Sequence, residues 1–410
     1  IQSNRACYFE MLCGTALKLH LQSPPGLRLD GRRDTKPVHP GNRQCLRVQG
    51  WGCLLTVASV CRLFRVRQTS RRVSLRGFDG FPTRLDYGLY FFGCDGIRQK
   101  YVAGIDNPLF SPEKDTLVYV HGWEVDRIRQ GYRETFSWKQ NEPNCGLEVD
   151  LAGPWLAQGW NVAIFYWDMF SDEPWLPDAE AKIWTAHGSR HMRYRLASGT
   201  FKDADSPKTS AAVILRDILI SLDRAAPGRR LRLAGHSLGS SLVIAAAWSL
   251  FKCSMPTGQL RVALLDPYWS RFVPLLNPQD YLTPDLDVMG SESRTTAKIS
   301  QSMAIMLAER QVLFEIYYSC PVMTQTPLIA DSSPAYELVR RKLASLVQYD
   351  ASCCRPWDLQ AQHLLAPNLY LYSMRYPEGS GAPSASSSDV TVGKARGHAW
   401  RRESLPDELK

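Results

Sequence analysis

The period of the apolar residues changes several times along the chain, and each change predicts an element. Residues 85–92, Leu-Asp-Tyr-Gly-Leu-Tyr-Phe-Phe, read as a strand. Residues 116–120, Thr-Leu-Val-Tyr-Val, are apolar enough for a strand inside a sheet covered on both faces. Residues 154–160 predict a short helix stopped by Gly159. Residues 161–167, Asn-Val-Ala-Ile-Phe-Tyr-Trp, predict another strand, ending at Asp168. Between 210 and 222 the apolar positions 214, 218, 219 and 222 fall at helical spacing, so this stretch reads as an amphipathic helix. Residues 231–234 read as a strand, 242–248 as a buried Ala-rich helix, and 259–265 as a strand ending at Asp266-Pro267. Residues 368–374, Asn-Leu-Tyr-Leu-Tyr-Ser-Met, read as a late strand.

Strands that alternate with helices imply an α/β fold, a mainly parallel central sheet with helices on both faces. Residues 169–208 are polar and aromatic and read as an insertion or long loop, and 268–360 as mostly loop and helix. Residues 81–376 then read as one α/β domain and 377–410 as a polar, exposed tail. There are no internal repeats.

Charge separates off the first 80 residues. The net charge of the chain is +9, but residues 1–80 carry +10 and the remainder −1. The basic character therefore belongs to a poorly patterned N-terminal segment, and the body gives no electrostatic case for nucleic-acid binding. Within that segment Arg47 and the apolar run at 53–60 have the make-up of a secretion signal displaced about 50 residues inward. The segment otherwise reads as disordered or non-native extension. No apolar run reaches the roughly 18–20 residues that span a bilayer. The 11 cysteines include no Cys-x-x-Cys and no zinc-ligand spacing, so no metal site is expected. Six lie beyond residue 80, which fits disulfides or buried thiols equally well.

The candidate chemistry centres on Gly235-His236-Ser237-Leu238-Gly239, set between a strand and a helix. In that setting Gly-x-Ser-x-Gly forms a nucleophile elbow, with the serine hydroxyl exposed on a strained turn and glycines where a Cβ would collide. A serine needs a base to take its proton, and the base needs an orienting acid. Asp266 follows an apolar strand and lies after the nucleophile, so it is the candidate acid, with Asp280, Asp285 and Asp287 as fallbacks. Only His363 and His398 follow Asp266. His363 is the preferred base and His398 the alternative. The N–H groups of Leu238 and Trp123 are the candidate oxyanion donors, with Gly122 letting the Trp123 loop approach. His121 and His236 are expected to hydrogen-bond locally, His187 and His191 to lie in the insertion, and Asp168 to be structural.

These residues together resemble the α/β-hydrolases of pancreatic (neutral) lipase type. The likeness covers about residues 85–376: the 116–123 strand and loop, the Gly-His-Ser-Leu-Gly elbow, Leu265-Asp266-Pro267, and His363-Leu364 followed by Ser373. It implies an α/β-hydrolase fold, Ser237, Asp266 and His363 as the triad, no cofactor, and a lipase or phospholipase cleaving lipid esters. Two departures stand out. Residues 169–208 are longer than that family leads one to expect, and the 47 residues after His363 are too few for its C-terminal β-sandwich. That family also carries a mobile lid shortly before the histidine. Here residues 321–352 are the candidate lid, with Tyr336, Val339, Leu343, Leu346 and Val347 as one apolar helical face meeting a lipid interface. An ordinary surface helix is the competing reading. The alternatives for function are a soluble carboxylesterase or thioesterase of the same fold, and a non-catalytic binding module. Secretion is expected from the resemblance and the cysteine usage.

Overall fold

Apolar runs too continuous to face water on either side build the centre of the molecule. The computed structural model describes residues 78–136, 150–187, 191–270, 295–320, 330–349, 351 and 354–375. The chain runs through β1 (Gly88–Phe92), β2 (Arg98–Lys100), β3 (Thr116–Val120), α1 (Gly153–Ala157), β4 (Asn161–Tyr166), α2 (Asp168–Ser171) and α3 (Leu176–Trp184). It continues through β5 (Tyr194–Arg195), β6 (Phe201–Lys202), α4 (Ala211–Ala225), β7 (Leu231–His236), α5 (Leu238–Cys253) and β8 (Leu260–Leu265). The last elements are α6 (Thr296–Glu309), β9 (Leu313–Tyr318), α7 (Ser333–Arg340), β10 (Ala344–Gln348) and α8 (Leu359–Tyr372).

Eight strands form one sheet in the order β10-β9-β8-β7-β3-β4-β1-β2, and β5 and β6 form a separate hairpin. The six strands from β10 to β4 are parallel, while β1 and β2 are antiparallel additions at one edge. Every residue of β3, β4 and β8 is buried, as strands covered on both faces require. Register then decides what shares the carboxyl edge. Val120 pairs with Gly235, His236 with Leu265, and Leu265 with Tyr317. The loops after β3, β7, β8 and β9 therefore leave the sheet side by side, where open parallel sheets gather their chemistry. Helices cover both faces. Gly235 turns toward α5, so by alternation Arg232 and His236 turn toward the opposite face, where α8 lies. With the elbow between β7 and α5, this is an α/β-hydrolase fold.

Four expectations need correction. The predicted late strand at 368–374 is the end of α8 followed by a 3-10 turn at Ser373–Arg375. A short apolar run buried on all sides does not distinguish strand from helix, and the start signal lay upstream. The Asp358 carboxylate accepts the Ala361 N–H at 3.1 Å as the N-cap. Residues 268–360 contain two parallel strands as well as loop and helix. β9 was masked by Glu315, a charge in mid-strand, which is neutralised by Arg261 on β8 at 2.6 Å. The apolar helical face over 336–347 stops at Arg340. Lys342 turns the chain at φ 61°, and Leu346 and Val347 belong to β10, in the sheet. Tyr336, at 67 % exposure, covers nothing in the core. Of the candidate lid, residues 321–329, 350 and 352 lie outside the described residues. Residues 169–208 hold α2, α3 and the β5–β6 hairpin rather than one long loop.

Candidate active site

Ser237 stands between β7 and α5 at φ 54°, ψ −122°, a left-handed backbone that a non-glycine residue adopts at a cost. Neighbouring backbone holds it there. The Ser237 N–H continues the ladder to Leu265 O at 3.0 Å, and its carbonyl accepts from Ser240 N (3.0 Å) and Tyr268 N (3.2 Å). The glycines of the motif are there for space. A Cβ on Gly235 would strike the Gly239 carbonyl, and one on Gly239 would strike that of Val120, with His121 O at 2.8 Å. A Cβ on Gly122 would lie 2.8 Å from Ser237 Cβ, so the loop carrying Trp123 crosses directly over the serine.

Asp266 ends β8, also at positive φ (45°). Its carboxylate accepts the N–H of Ser319 at 3.0 Å and of Cys320 at 3.2 Å, donors supplied by the end of β9. Its second oxygen meets His363 Nδ1 at 2.8 Å. Complete burial pushes the Asp266 carboxyl above its ordinary range, against the pull of His363 and those two N–H groups. A carboxylate oxygen accepts, so Nδ1 is the donor in this contact and Nε2 is turned away from the acid. Nε2 is buried and has no hydrogen-bond partner, so no bond joins it to Ser237 Oγ in this state.

Leu238 is the first residue of α5, where N–H groups lack an intrahelical acceptor and the helix dipole favours negative charge. Trp123 is buried, and its indole N–H donates to Glu173 O at 2.7 Å. The other histidines have different work. His121 Nε2 accepts the Trp167 N–H at 3.3 Å while Nδ1 faces Gly122 O at 3.1 Å, a neutral ring that burial holds down to about 4. Burial and the adjoining His363 also hold His236 well below its ordinary value. His191 lies 3.4 Å from Asp203, half-exposed. Asp168 is structural, as expected. It shares the fully buried Arg133 with Asp86, each at 2.6 Å. His398, Asp280, Asp285 and Asp287 lie outside the described residues.

The residues that sequence reasoning missed are those that hold the loops. Asp172 accepts the N–H groups of Asp126 (2.6 Å) and Ile128 (3.0 Å) and pairs with Arg195 at 2.9 Å. Glu173 pairs with Lys182 at 2.6 Å and with Arg193. In sequence these charges look like a solvated loop, and only the fold shows Asp172, Glu173 and Lys182 buried and the two arginines half-buried. No group of three or more His, Cys, Asp or Glu among the described residues is arranged to hold a metal ion. No helix among them is long and apolar enough to cross a membrane.

No family model matches the chain, and no curated protein matches it. Similar solved structures include a serine hydrolase from Cycloclasticus zankles, at 14 % identity and TM-score 0.32, covering 62 % of this chain and 88 % of that one. A Pyrobaculum calidifontis esterase is 14 % identical at TM-score 0.30, with 64 % and 77 % covered. A lipase-esterase related protein from Clostridium acetobutylicum is 12 % identical at TM-score 0.29, with 69 % and 94 % covered. Likenesses this remote carry no argument about activity. The α/β-hydrolase fold stands on the strand order, the parallel register and the elbow itself.

Proposed function

We propose that the chain is a serine ester hydrolase, acting on carboxylic esters of lipids as a lipase or phospholipase. One contact carries the reading: the His363 Nδ1–Asp266 Oδ2 bond of 2.8 Å, which leaves a buried, unpartnered Nε2 on a histidine whose neighbouring elbow carries Ser237. Ser237 Oγ attacks the ester carbonyl carbon while His363 Nε2 takes its proton. The tetrahedral oxyanion is met by the N–H groups of Leu238 and Trp123. Collapse breaks the ester C–O bond, and His363 returns the proton to the departing alcohol. Water, deprotonated in turn by His363, then frees the acid from Ser237. Asp266 stabilises the imidazolium and fixes its tautomer. The link between Nε2 and Oγ is made when substrate binds, since such bonds are often long before the complex forms.

The lipid substrate and a secreted location rest on the likeness of the elbow, Leu-Asp-Pro and His-Leu motifs to neutral lipases. A fluorophosphonate probe tests the enzyme reading. Ser237 of the full chain is expected to label, and labelling that survives Ser237→Ala overturns the proposal. Replacing His363 and His398 separately by Ala identifies the base, activity being lost only with the first. Long-chain ester emulsions should be cleaved in preference to short soluble esters. The opposite preference would make the protein a soluble carboxylesterase.

A further inference from the structure

α8 is interrupted just where it carries its histidine. Pro367 lies four residues after His363, so the N–H that would close the helical bond on the His363 carbonyl is missing, and the ring crowds that carbonyl. The adjacent rung is opened too. Ser319 Oγ accepts the Ala366 N–H at 3.0 Å and donates to the Gln362 carbonyl at 2.7 Å, the two groups an uninterrupted helix joins to each other. The same Ser319 gives its own N–H to Asp266.

The carbonyl released by Pro367 is taken up from the elbow. His236 Nε2 lies 3.1 Å from His363 O, with the two imidazoles 4.4 Å apart between ring centroids. A carbonyl only accepts, so Nε2 carries the proton and donates it. His236 is buried and held neutral, and a neutral ring with its hydrogen on Nε2 suits this contact. The residue before Ser237 thus grips the backbone of a residue 127 positions away.

We infer that His236 and Ser319 are positioning residues which, by occupying groups released from the helical ladder of α8, set where the His363 ring stands relative to Ser237. This rests on the reading of Ser237 and His363 as nucleophile and base. Pro367 has a part in the device, because a residue with an N–H at 367 would compete with His236 for the His363 carbonyl.

The test uses the 410-residue chain, a short-chain p-nitrophenyl ester, the rate of fluorophosphonate labelling, and thermal unfolding. Pro367→Ala restores a helical N–H and should leave Tm unchanged or higher, yet lower kcat and labelling by roughly ten- to a hundredfold, the scale of a misplacement near 1 Å. KM should be unchanged. His236→Leu should cause a like fall in kcat, and His236→Gln, which keeps a donor near the Nε2 position, should recover most of it. Ser319→Ala should also lower kcat more than KM. Wild-type kcat in Pro367→Ala, or a His236→Gln variant no better than His236→Leu, would overturn the inference while leaving the triad intact. Absence of labelling in the wild-type protein would overturn both.

Discussion

The indole N–H of Trp123 donates to the backbone carbonyl of Glu173 at 2.7 Å, tying the loop that crosses Ser237 to a buried cluster of charges. The Glu173 carboxylate in turn holds Lys182 at 2.6 Å and Arg193, and Lys182 also donates to Phe170 O and Arg193 O. The loop is therefore anchored from beneath by a buried carboxylate that pairs with a buried lysine and a half-buried arginine.

Removing one partner of such a pair leaves an uncompensated charge in the core. Glu173→Gln keeps the shape and the backbone carbonyl but strands Lys182, whose side chain is 1 % exposed. We expect a loss of about 3–5 kcal/mol in unfolding free energy. A urea titration checks this, and a change below about 1 kcal/mol would mean that the backbone carbonyls of Phe170 and Arg193 suffice for Lys182.

Gly122 packs its backbone on the serine. In Gly122→Ala the new methyl would lie 2.8 Å from Ser237 Cβ and 3.3 Å from Oγ, so the loop must withdraw. Labelling by a fluorophosphonate should slow by roughly a hundredfold, as a displacement near 1 Å implies, with a smaller effect on Tm. Unchanged labelling would show that the Trp123 loop is not needed beside the serine.

Acid should destabilise the fold through its buried histidines. Burial holds His121 at about 4, whereas in the unfolded chain it titrates near 6.5. Below that upper value the unfolded state binds a proton that the native state does not. This contribution is therefore complete above about pH 6.5 and is lost as the pH falls toward about 4. His236, also depressed, works in the same direction. Tm measured from pH 7.5 down to 4.5 should decline in this window, and less steeply in His121→Asn. Equal slopes for the two proteins would count against it.

What the sequence made legible was whatever depends on neighbours along the chain. β3 needed only four apolar residues in a row after Thr116, and the elbow only its two glycines between strand and helix. Chain order suggested Asp266 and His363 as partners, and a 2.8 Å bond joins those two residues. What failed depended on partners far away. Glu315 looks unfit for a central strand until Arg261 is beside it. Tyr370 and Leu371 look like strand residues until α8 presents both to the core, with the Leu371 carbonyl accepting the Trp155 indole N–H at 2.9 Å. Asp172, Glu173 and Lys182 resemble a solvated stretch because their burial depends on one another and on the half-buried Arg193 and Arg195. Pro367 was visible in the sequence, but its meaning required knowing that a helix surrounds it.

The left-handed backbone at Ser237 sets the folding of the elbow against the reactivity proposed for its hydroxyl. Glycine reaches φ 54° without the steric penalty of a Cβ, which for other residues is about 1–2 kcal/mol. A Ser237→Gly chain should therefore be inert yet no less resistant to heat than the parent, and an assay that selects for thermal tolerance alone would favour the dead protein. Stability on its own is the wrong quantity to optimise in this fold, because at this backbone the least strained residue is the one with no side chain at all.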